Sequence, residues 1–495
     1  MILPNTILSD SRARKIVFAL FAALIASSSA LAAEDTLPEP GAARKVNVPV
    51  AQEKILPNGL KIVIARRAVT PLVSIALYVR SGAEIDPPQL AGLTSMTAGL
   101  LDKGTATRSA PQIAEAADAL GGSLATGAGF DSAQVSITVT TPKLDAAVAL
   151  LADVTRHPAF AQEEIDRQRK RTLDNLRVTL SQPGGLARLV AARAVYGDGA
   201  YGHSSAGTPA SLPRIQRADI VKLHEAYYRP DNAVLVFAGD IDLDRAAQLA
   251  TQSFGDWKKP AQTSPRGPVA QGKSKLAATV IVDLPGTGQA AVTAVHPGIA
   301  RDAKDYYAGL VTNAVLGGGY SARLNEEIRI KRGLSYGAGS TLEARRSGGS
   351  FGGSAQTKNP SAPEVVDLVL GEFDRLAKTS PDAAELTARK ATLSGNFGFT
   401  LETTRGLLGE MSALAIYNLP LDELTHFFDR VQAVSADQVR DFAKIHLARN
   451  ATTVIVAGDA KQFSGELTKR DPNAASYAAS SLDLDHADLR AAPAK

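Results

Sequence analysis

The side chains best suited to chemistry are few and scattered. The chain has seven histidines (His157, His203, His224, His296, His426, His446 and His486) and no cysteine. No two of these histidines stand three or four apart, so no helix face offers the paired imidazoles that hold a catalytic zinc with one position open for water. Each reads as a surface or hydrogen-bonded residue, with a site assembled from distant positions as the alternative. Without cysteine there are no disulfides and no thiolate chemistry. No G-x-S-x-G turn presents a serine nucleophile.

The bulk composition bounds the classes further. At 495 residues, 45% hydrophobic and 21% charged, the chain can bury large cores and has the length of two to four domains of about 150 residues. Its net charge of +4 comes from 54 basic and 50 acidic side chains with no long Lys/Arg block, which argues against nucleic-acid binding. Arg12, Arg14 and Lys15 precede an apolar run from Ile16 to Ala26 and the small-residue site Ala30-Leu31-Ala32. That pattern predicts a cleaved signal peptide over residues 1–32, too short in its apolar part to span a bilayer. No later stretch has the character of a membrane span. The expected location is the periplasm, if the host is Gram-negative.

The elements that would position a site alternate between period-two and helical patterns, predicting an α+β fold. Residues 60–66, 72–80 and 134–140 read as strands; Leu90 to Leu101 and Pro142 to Thr155 read as helices. The endings repeat: a helical stretch leads into PDNAVLVFAGD before Asp240 and again into RNATTVIVAGD before Asp459. Asn232 and Asn450 lie 218 apart, and Asp240 and Asp459 lie 219 apart. VSIALYVRSGAEID (73–86) is likewise similar to AAVTAVHPGIARD (290–302). This predicts a duplicated domain: one copy over 45–259, a Pro/Gly/Ser/Gln-rich linker over 260–275, a second copy over 276–471, and a flexible tail over 472–495.

The duplication, the export signal and several local strings together resemble the pitrilysin/insulinase family of zinc peptidases, over roughly residues 50–465. The family's inverted motif H-x-x-E-H runs on into Lys-Gly-Thr. Here Lys103-Gly104-Thr105 follows SMTAGLLD, which puts Ser95 and Gly99 at the two histidine positions and Ala98 at the general base. The family's downstream E-R-x-x-x-x-x-E corresponds to QRKRTLDN, so Asn175 stands at the third zinc ligand and Gln168 at the first glutamate. Four chemical positions are substituted together, and the resemblance therefore implies no metal in this chain. The string LGGGYSARLNEEIRIKRGLSYGAGS, Leu316 to Ser340, is similar to the signature of the family's second domain. Through it Arg329 and Tyr336, seven apart, correspond to the pair that reaches across the chamber to the zinc site. A tyrosine hydroxyl can donate to an oxyanion, and a guanidinium can hold a carbonyl or carboxylate. Read without that string, Arg329 would pair with Glu326 or Glu327 and Tyr336 would pack in a strand; Lys331, Arg332, Arg345 and Arg346 read as solvated charges.

The resemblance implies two homologous α/β-roll domains facing each other around a chamber. It implies a chain inactive alone: the non-catalytic, substrate-binding subunit of a heterodimeric zinc metalloendopeptidase. A homologous partner subunit would bring the zinc, and peptides or unfolded polypeptides would be the substrates. The alternative is a scaffold or peptide-binding protein of the same fold with no proteolytic role, or a homodimer that binds peptides without cutting them.

Overall fold

A computed structural model describes residues 46–265 and 272–490. The predicted signal peptide over 1–32 and the middle of the predicted linker lie outside the described residues. No helix among the described residues is long and apolar enough to cross a membrane.

Two six-stranded sheets carry the fold. The first comprises β1 (Ala51–Ile55), β2 (Lys61–Arg66), β3 (Leu72–Val79), β4 (Ala125–Ala128), β5 (Ala133–Thr140) and β6 (Ala233–Gly239), in the order β1-β2-β6-β3-β5-β4. The second comprises β7 (Thr279–Asp283), β8 (Gln289–Gly298), β9 (Ser335–Arg345), β10 (Gly348–Lys358), β11 (Thr453–Gly458) and β12 (Ala475–Ala478), in the order β12-β7-β11-β8-β10-β9. β2 pairs parallel with β6, and β7 parallel with β11; the pairs β3–β6, β3–β5 and β4–β5 are antiparallel, as are β8–β11, β8–β10 and β9–β10. Five strands thus repeat in order and direction, and the duplicated fold expected from the sequence is present. The copies differ at one edge, where β1 runs antiparallel to β2 and β12 parallel to β7.

Alternation along the central strands shows why both sheet faces are apolar. Ile62 and Ile64 pack into the first half's own helices, whereas Val63 and Ala65 face the opposite way. There they meet Leu407, Leu408, Met411 and Leu414 of the helix Thr404–Ile416, which belongs in sequence to the second half. The exchange is reciprocal. Val280, Val282, Ile455 and Ala457 of the second sheet pack against Leu186 and Val190 of the helix Pro183–Tyr196, from the first half. Period two places alternate residues on opposite faces, so strands covered on both sides read as continuous apolar runs such as AVLVFAG. Each buried Leu or Val contributes roughly 1.5–3 kcal/mol relative to exposure. Separating the halves would uncover a sheet face on each. The connection between them is therefore an exchange of helices, and not only the linker.

Both exchanged helices follow a 19-residue helix, Gln162–Leu180 or Ala383–Leu401, the two starting 221 positions apart. The chain reverses between the helices through Gly185 and Gly406, where a Cβ would overlap the carbonyl oxygen of Thr179 or Thr400. Gly406→Ala is expected to destabilise the protein by on the order of 3 kcal/mol, through backbone displacement at this reversal. A urea-unfolding midpoint unchanged from wild type would contradict that.

The region after Pro472 departs from the sequence-based expectation of a flexible tail. β12 joins the second sheet, and Leu484 and Leu489 are buried in the cluster that holds the exchanged helix Pro183–Tyr196. The buried Arg193 of that helix donates from Nε (3.2 Å) and Nη2 (2.7 Å) to the carbonyl of Leu484. Short apolar residues spaced without period carry no local signal, yet they fill a cavity that the exchange creates. The linker's ends are tied as well: Arg229 donates to the carbonyls of Pro260 and Gln262, and Gly272 lies against Tyr196 and Gly199.

Candidate functional site

Arg329 and Tyr336 are brought together by a distorted helix and an edge strand. Residues Glu326–Ile330 form a single π-helical turn, with the Lys331 amide donating to the Glu326 carbonyl at 2.9 Å. Such wide turns shift the side-chain register by one position and recur at functional sites. The Arg329 guanidinium sits 4.9 Å from the ring centroids of both Tyr320 and Tyr336. Cation–π attraction across two rings orients it without a carboxylate. Glu327 is occupied by Lys331 (2.6 Å) and Arg332, so those two cations are paired at the surface, and Arg329 forms no ion pair among the described residues. Tyr336 is 89% exposed on β9, which rules out ordinary strand packing.

Asn325 holds this arrangement. It is 3% exposed; its amide donates to the Tyr320 carbonyl (2.6 Å), and its side-chain oxygen accepts from the Ala338 amide (3.2 Å). Asn325 thereby ties the backbone of Tyr320 to β9 at Ala338, two residues beyond Tyr336. The positive φ of Gly333 (64°) turns the chain from the π turn into β9, and Gly317 ends the helix Tyr306–Leu316 where a Cβ would strike the Ser340 backbone. Burial of Asn325 depends on the meeting of the π turn with β9, which no local pattern announces.

The positions corresponding to the lost zinc motif lie in the first half. Ser95, Ala98 and Gly99 fall on the helix Leu93–Gly99. A Cβ on Gly99 would approach Gln168 Nε2 at 3.0 Å, so the second-histidine and first-glutamate positions do meet. Ser95 donates to the Ser205 carbonyl at 2.6 Å, and Ala98 is fully buried. Asn175 is exposed on the helix Gln162–Leu180 and lines one cavity with Ser205. A hydroxyl committed to a carbonyl, a methyl group, a hydrogen and a carboxamide do not make a zinc site. Among the described residues no group of three or more His, Asp or Glu side chains is placed to hold a metal ion.

Two cavities connect these regions. A cleft of about 610 Å³ lies over β8, β9 and β10, with Tyr336 in its wall and the exchanged helix Pro183–Tyr196 along its side. A second, of about 490 Å³, contains Asn175, Ser204 and Ser205. They share Arg188, Ala191, Val295, Glu343 and Ser350 in their walls, so the cavity bordered by Tyr336 adjoins the one bordered by Asn175. Arg188 was not among the residues the sequence singled out.

Arg345 and Arg346 are not the solvated charges expected from the sequence. They form the tip of the β9–β10 hairpin and enter the first half. The Arg345 guanidinium stacks over Phe130 at 4.2 Å and near Tyr201 and Tyr196, while its Nη2 donates to Glu343 at 2.5 Å. Arg346 donates to Glu84 Oε1 (3.2 Å) and to the carbonyls of Arg80 and Asp131. The buried Asp131 carboxylate accepts from the hydroxyls of Tyr201 (2.5 Å) and Tyr417 (3.0 Å) and from the Arg346 amide (3.1 Å). Their partial burial follows from where the hairpin lands, not from its composition.

Burial raises Glu84 to about 7, against the pull of Arg346, and raises Asp86 to about 7 despite hydrogen bonds from Thr94 and Gly92. Burial lowers His203 and His224 to about 4. His203 Nε2 lies 3.9 Å from Asp86, and whichever of that pair holds it, one proton is retained. Between about pH 4.5 and 6.5 the folded chain holds two carboxyl protons, whereas the unfolded chain holds two imidazole protons. The counts cancel, so these four groups leave stability nearly independent of pH there. Glu84→Gln removes one proton from the folded side only. The unfolded chain then binds more protons, and stability is expected to fall on acidification by about 1.4 kcal/mol per pH unit relative to wild type. Urea midpoints at pH 4.5, 5.5 and 6.5 check this; parallel profiles for the two proteins would refute it.

Comparison with known proteins places this geometry. Residues 61–208 match the family model described as insulinase (peptidase family M16), and residues 214–393 match the model described as peptidase M16 inactive domain. An uncharacterized zinc protease of Streptomyces coelicolor is 28% identical over 81% of this chain and 88% of its own length. A non-peptidase homolog of Helicobacter pylori is 23% identical over 81% of this chain and 92% of its own. A crystal structure of a peptidase M16 inactive domain from Pseudomonas fluorescens superposes with a TM-score of 0.77 at 28% identity, covering 82% of this chain and 98% of that one.

Proposed function

The chain belongs to peptidase family M16, and from that membership we propose that it is the substrate-binding, non-catalytic subunit of a two-chain zinc endopeptidase. The observation that carries the reading is the coexistence of a dismantled zinc motif with a preserved, exposed Arg329/Tyr336 pair. A metal site given up leaves no chemical reason to hold an arginine between two tyrosines at the mouth of a cleft, unless another chain completes the site. A homologous subunit that keeps the inverted zinc motif would supply the metal and the general base. This chain's own groups would then bind and polarise: Arg329 holds a peptide carbonyl or carboxylate, and Tyr336 donates to the carbonyl oxygen as negative charge builds on it. Extended peptides or unfolded polypeptides are the substrate class, since a strand can be held through its backbone at a sheet edge. The signal-peptide pattern supports a periplasmic location if the host is Gram-negative.

The test is peptidase activity on an unfolded peptide, with metal analysis, for the mature chain alone and mixed with a zinc-motif homologue encoded beside it. The expected result is neither stoichiometric zinc nor activity alone, and activity in the mixture. Chelator-sensitive activity of the chain alone would overturn the proposal. The second reading, a peptide-binding or scaffold protein without proteolysis, is favoured by the Helicobacter pylori relative described as a non-peptidase homolog. Peptide binding without cleavage in the presence of every zinc-motif homologue of the host would establish it.

A further inference from the structure

Counting charges in the cleft singles out one residue. The side chains lining the two adjoining cavities include three that are charged: Arg188, Glu343 and Arg345. His203 also borders the inner cavity, but burial keeps it neutral down to about 4. Arg345 and Glu343 neutralise each other through an ion pair at 2.5 Å, with the Arg345 guanidinium packed over Phe130 and its Nη1 buried without a hydrogen-bond partner among the described residues. Arg188 is left. It is exposed on the exchanged helix at the junction of the two cavities, and among the described residues it makes neither an ion pair nor a side-chain hydrogen bond. The floor facing it is small and uncharged, with Thr341, Gly352, Gly353 and Ser354 in the sheet.

We propose that Arg188 is a carboxylate anchor: it binds a terminal or side-chain carboxylate of a peptide lying in the cleft, whose chain then runs over the sheet toward Tyr336. A guanidinium presents a planar fork that matches a carboxylate, and such charge-assisted pairs are about twice as strong as neutral hydrogen bonds. The class of anion follows from Glu343. With Arg345 already paired, the net charge of the cleft is that of one cation, which suits a monovalent carboxylate and disfavours a dianionic phosphate beside a second carboxylate. The cleft, at about 610 Å³, is within the usual range for sites that enclose small ligands. The inference rests on the reading that the cleft takes peptides and is separable from it. It concerns binding by this chain alone, whereas the two-chain peptidase stands or falls on activity in the mixture.

Calorimetric titration of the mature chain with N-acetylated hexapeptides of neutral side chains tests it. Three peptides are needed: one with a free C-terminal carboxylate, one amidated, and one amidated with a single internal Glu. At least one carboxylate-bearing peptide is expected to bind on the order of tenfold more tightly than the neutral amide. Whether the free terminus or the Glu confers the gain identifies the source of the carboxylate. Arg188→Gln is expected to abolish the difference with an unchanged melting temperature, and Arg188→Lys to retain part of it. Equal affinity for all three peptides, binding of none, or undiminished discrimination by Arg188→Gln would each overturn the proposal.

Discussion

Tyr336→Phe is expected to lower kcat of the proposed two-chain peptidase by on the order of 10²–10³-fold, the range observed when a single oxyanion donor is removed. The substitution deletes one hydroxyl and nothing else. Tyr336 is 89% exposed and its ring lies against the Arg329 guanidinium, a contact that phenylalanine preserves. Folding should therefore be unaffected, within the roughly 0.5 kcal/mol typical of surface changes. Metal content of the partner should also stay constant. Losses confined to kcat and kcat/KM, with KM little changed, would identify an interaction made in the transition state. Arg329→Lys makes the companion test: the ammonium keeps the charge and loses the fork, so KM should rise. A Tyr336→Phe enzyme of wild-type rate would remove the main support for a role in catalysis.

Asp131→Ala carries the largest expected effect on stability, a loss of about 3–5 kcal/mol, as found when one partner of a buried charged network is deleted. Asp131 is 5% exposed and is the acceptor for Tyr201 of the first half, and for Tyr417 and the Arg346 amide of the second. Its removal leaves two phenolic hydroxyls and the Arg346 amide without this acceptor, while the Arg346 guanidinium keeps Glu84. Asp131→Asn keeps an acceptor of the same shape and should cost less, about 1–2 kcal/mol. Denaturant unfolding followed by circular dichroism gives both values. A double-mutant cycle between Asp131 and Tyr417 isolates the coupling between halves. An Asp131→Ala protein within 0.5 kcal/mol of wild type would show that the exchanged helices alone hold the halves together.

These two residues mark what a sequence can and cannot display. Tyr336 is legible because its neighbours in the string Leu316–Ser340 are contiguous, and motif spacing is a local property. The expected loss of the zinc motif is legible for the same reason: two ligands at i and i+4 need one helix face, and the family resemblance puts Ser95 and Gly99 at those positions. The duplication is visible because each copy repeats the periodicity of its buried strands, as in the segments before Asp240 and Asp459. Asp131, Arg188, Arg345 and Arg346 have no such local mark. An arginine pair at a hairpin tip has the composition of a solvated turn. Only the landing of that hairpin between Phe130 and Glu84 makes it a half-buried link.

The sequence by itself determined the twofold plan of this chain's strands, because the repeated pattern lies within one helix and one strand of each copy. Tertiary structure alone decided that each half lends a helix to the other's sheet and that Leu484 and Leu489 are core residues. It alone left Arg188 as the uncompensated charge of the cleft. Those outcomes depend on contacts between segments hundreds of residues apart, such as Arg193 with Leu484 or Ser74 with Thr404. Whether a given apolar or charged side chain is covered there is set by where its neighbours come to rest, a property that the period of its own segment does not encode.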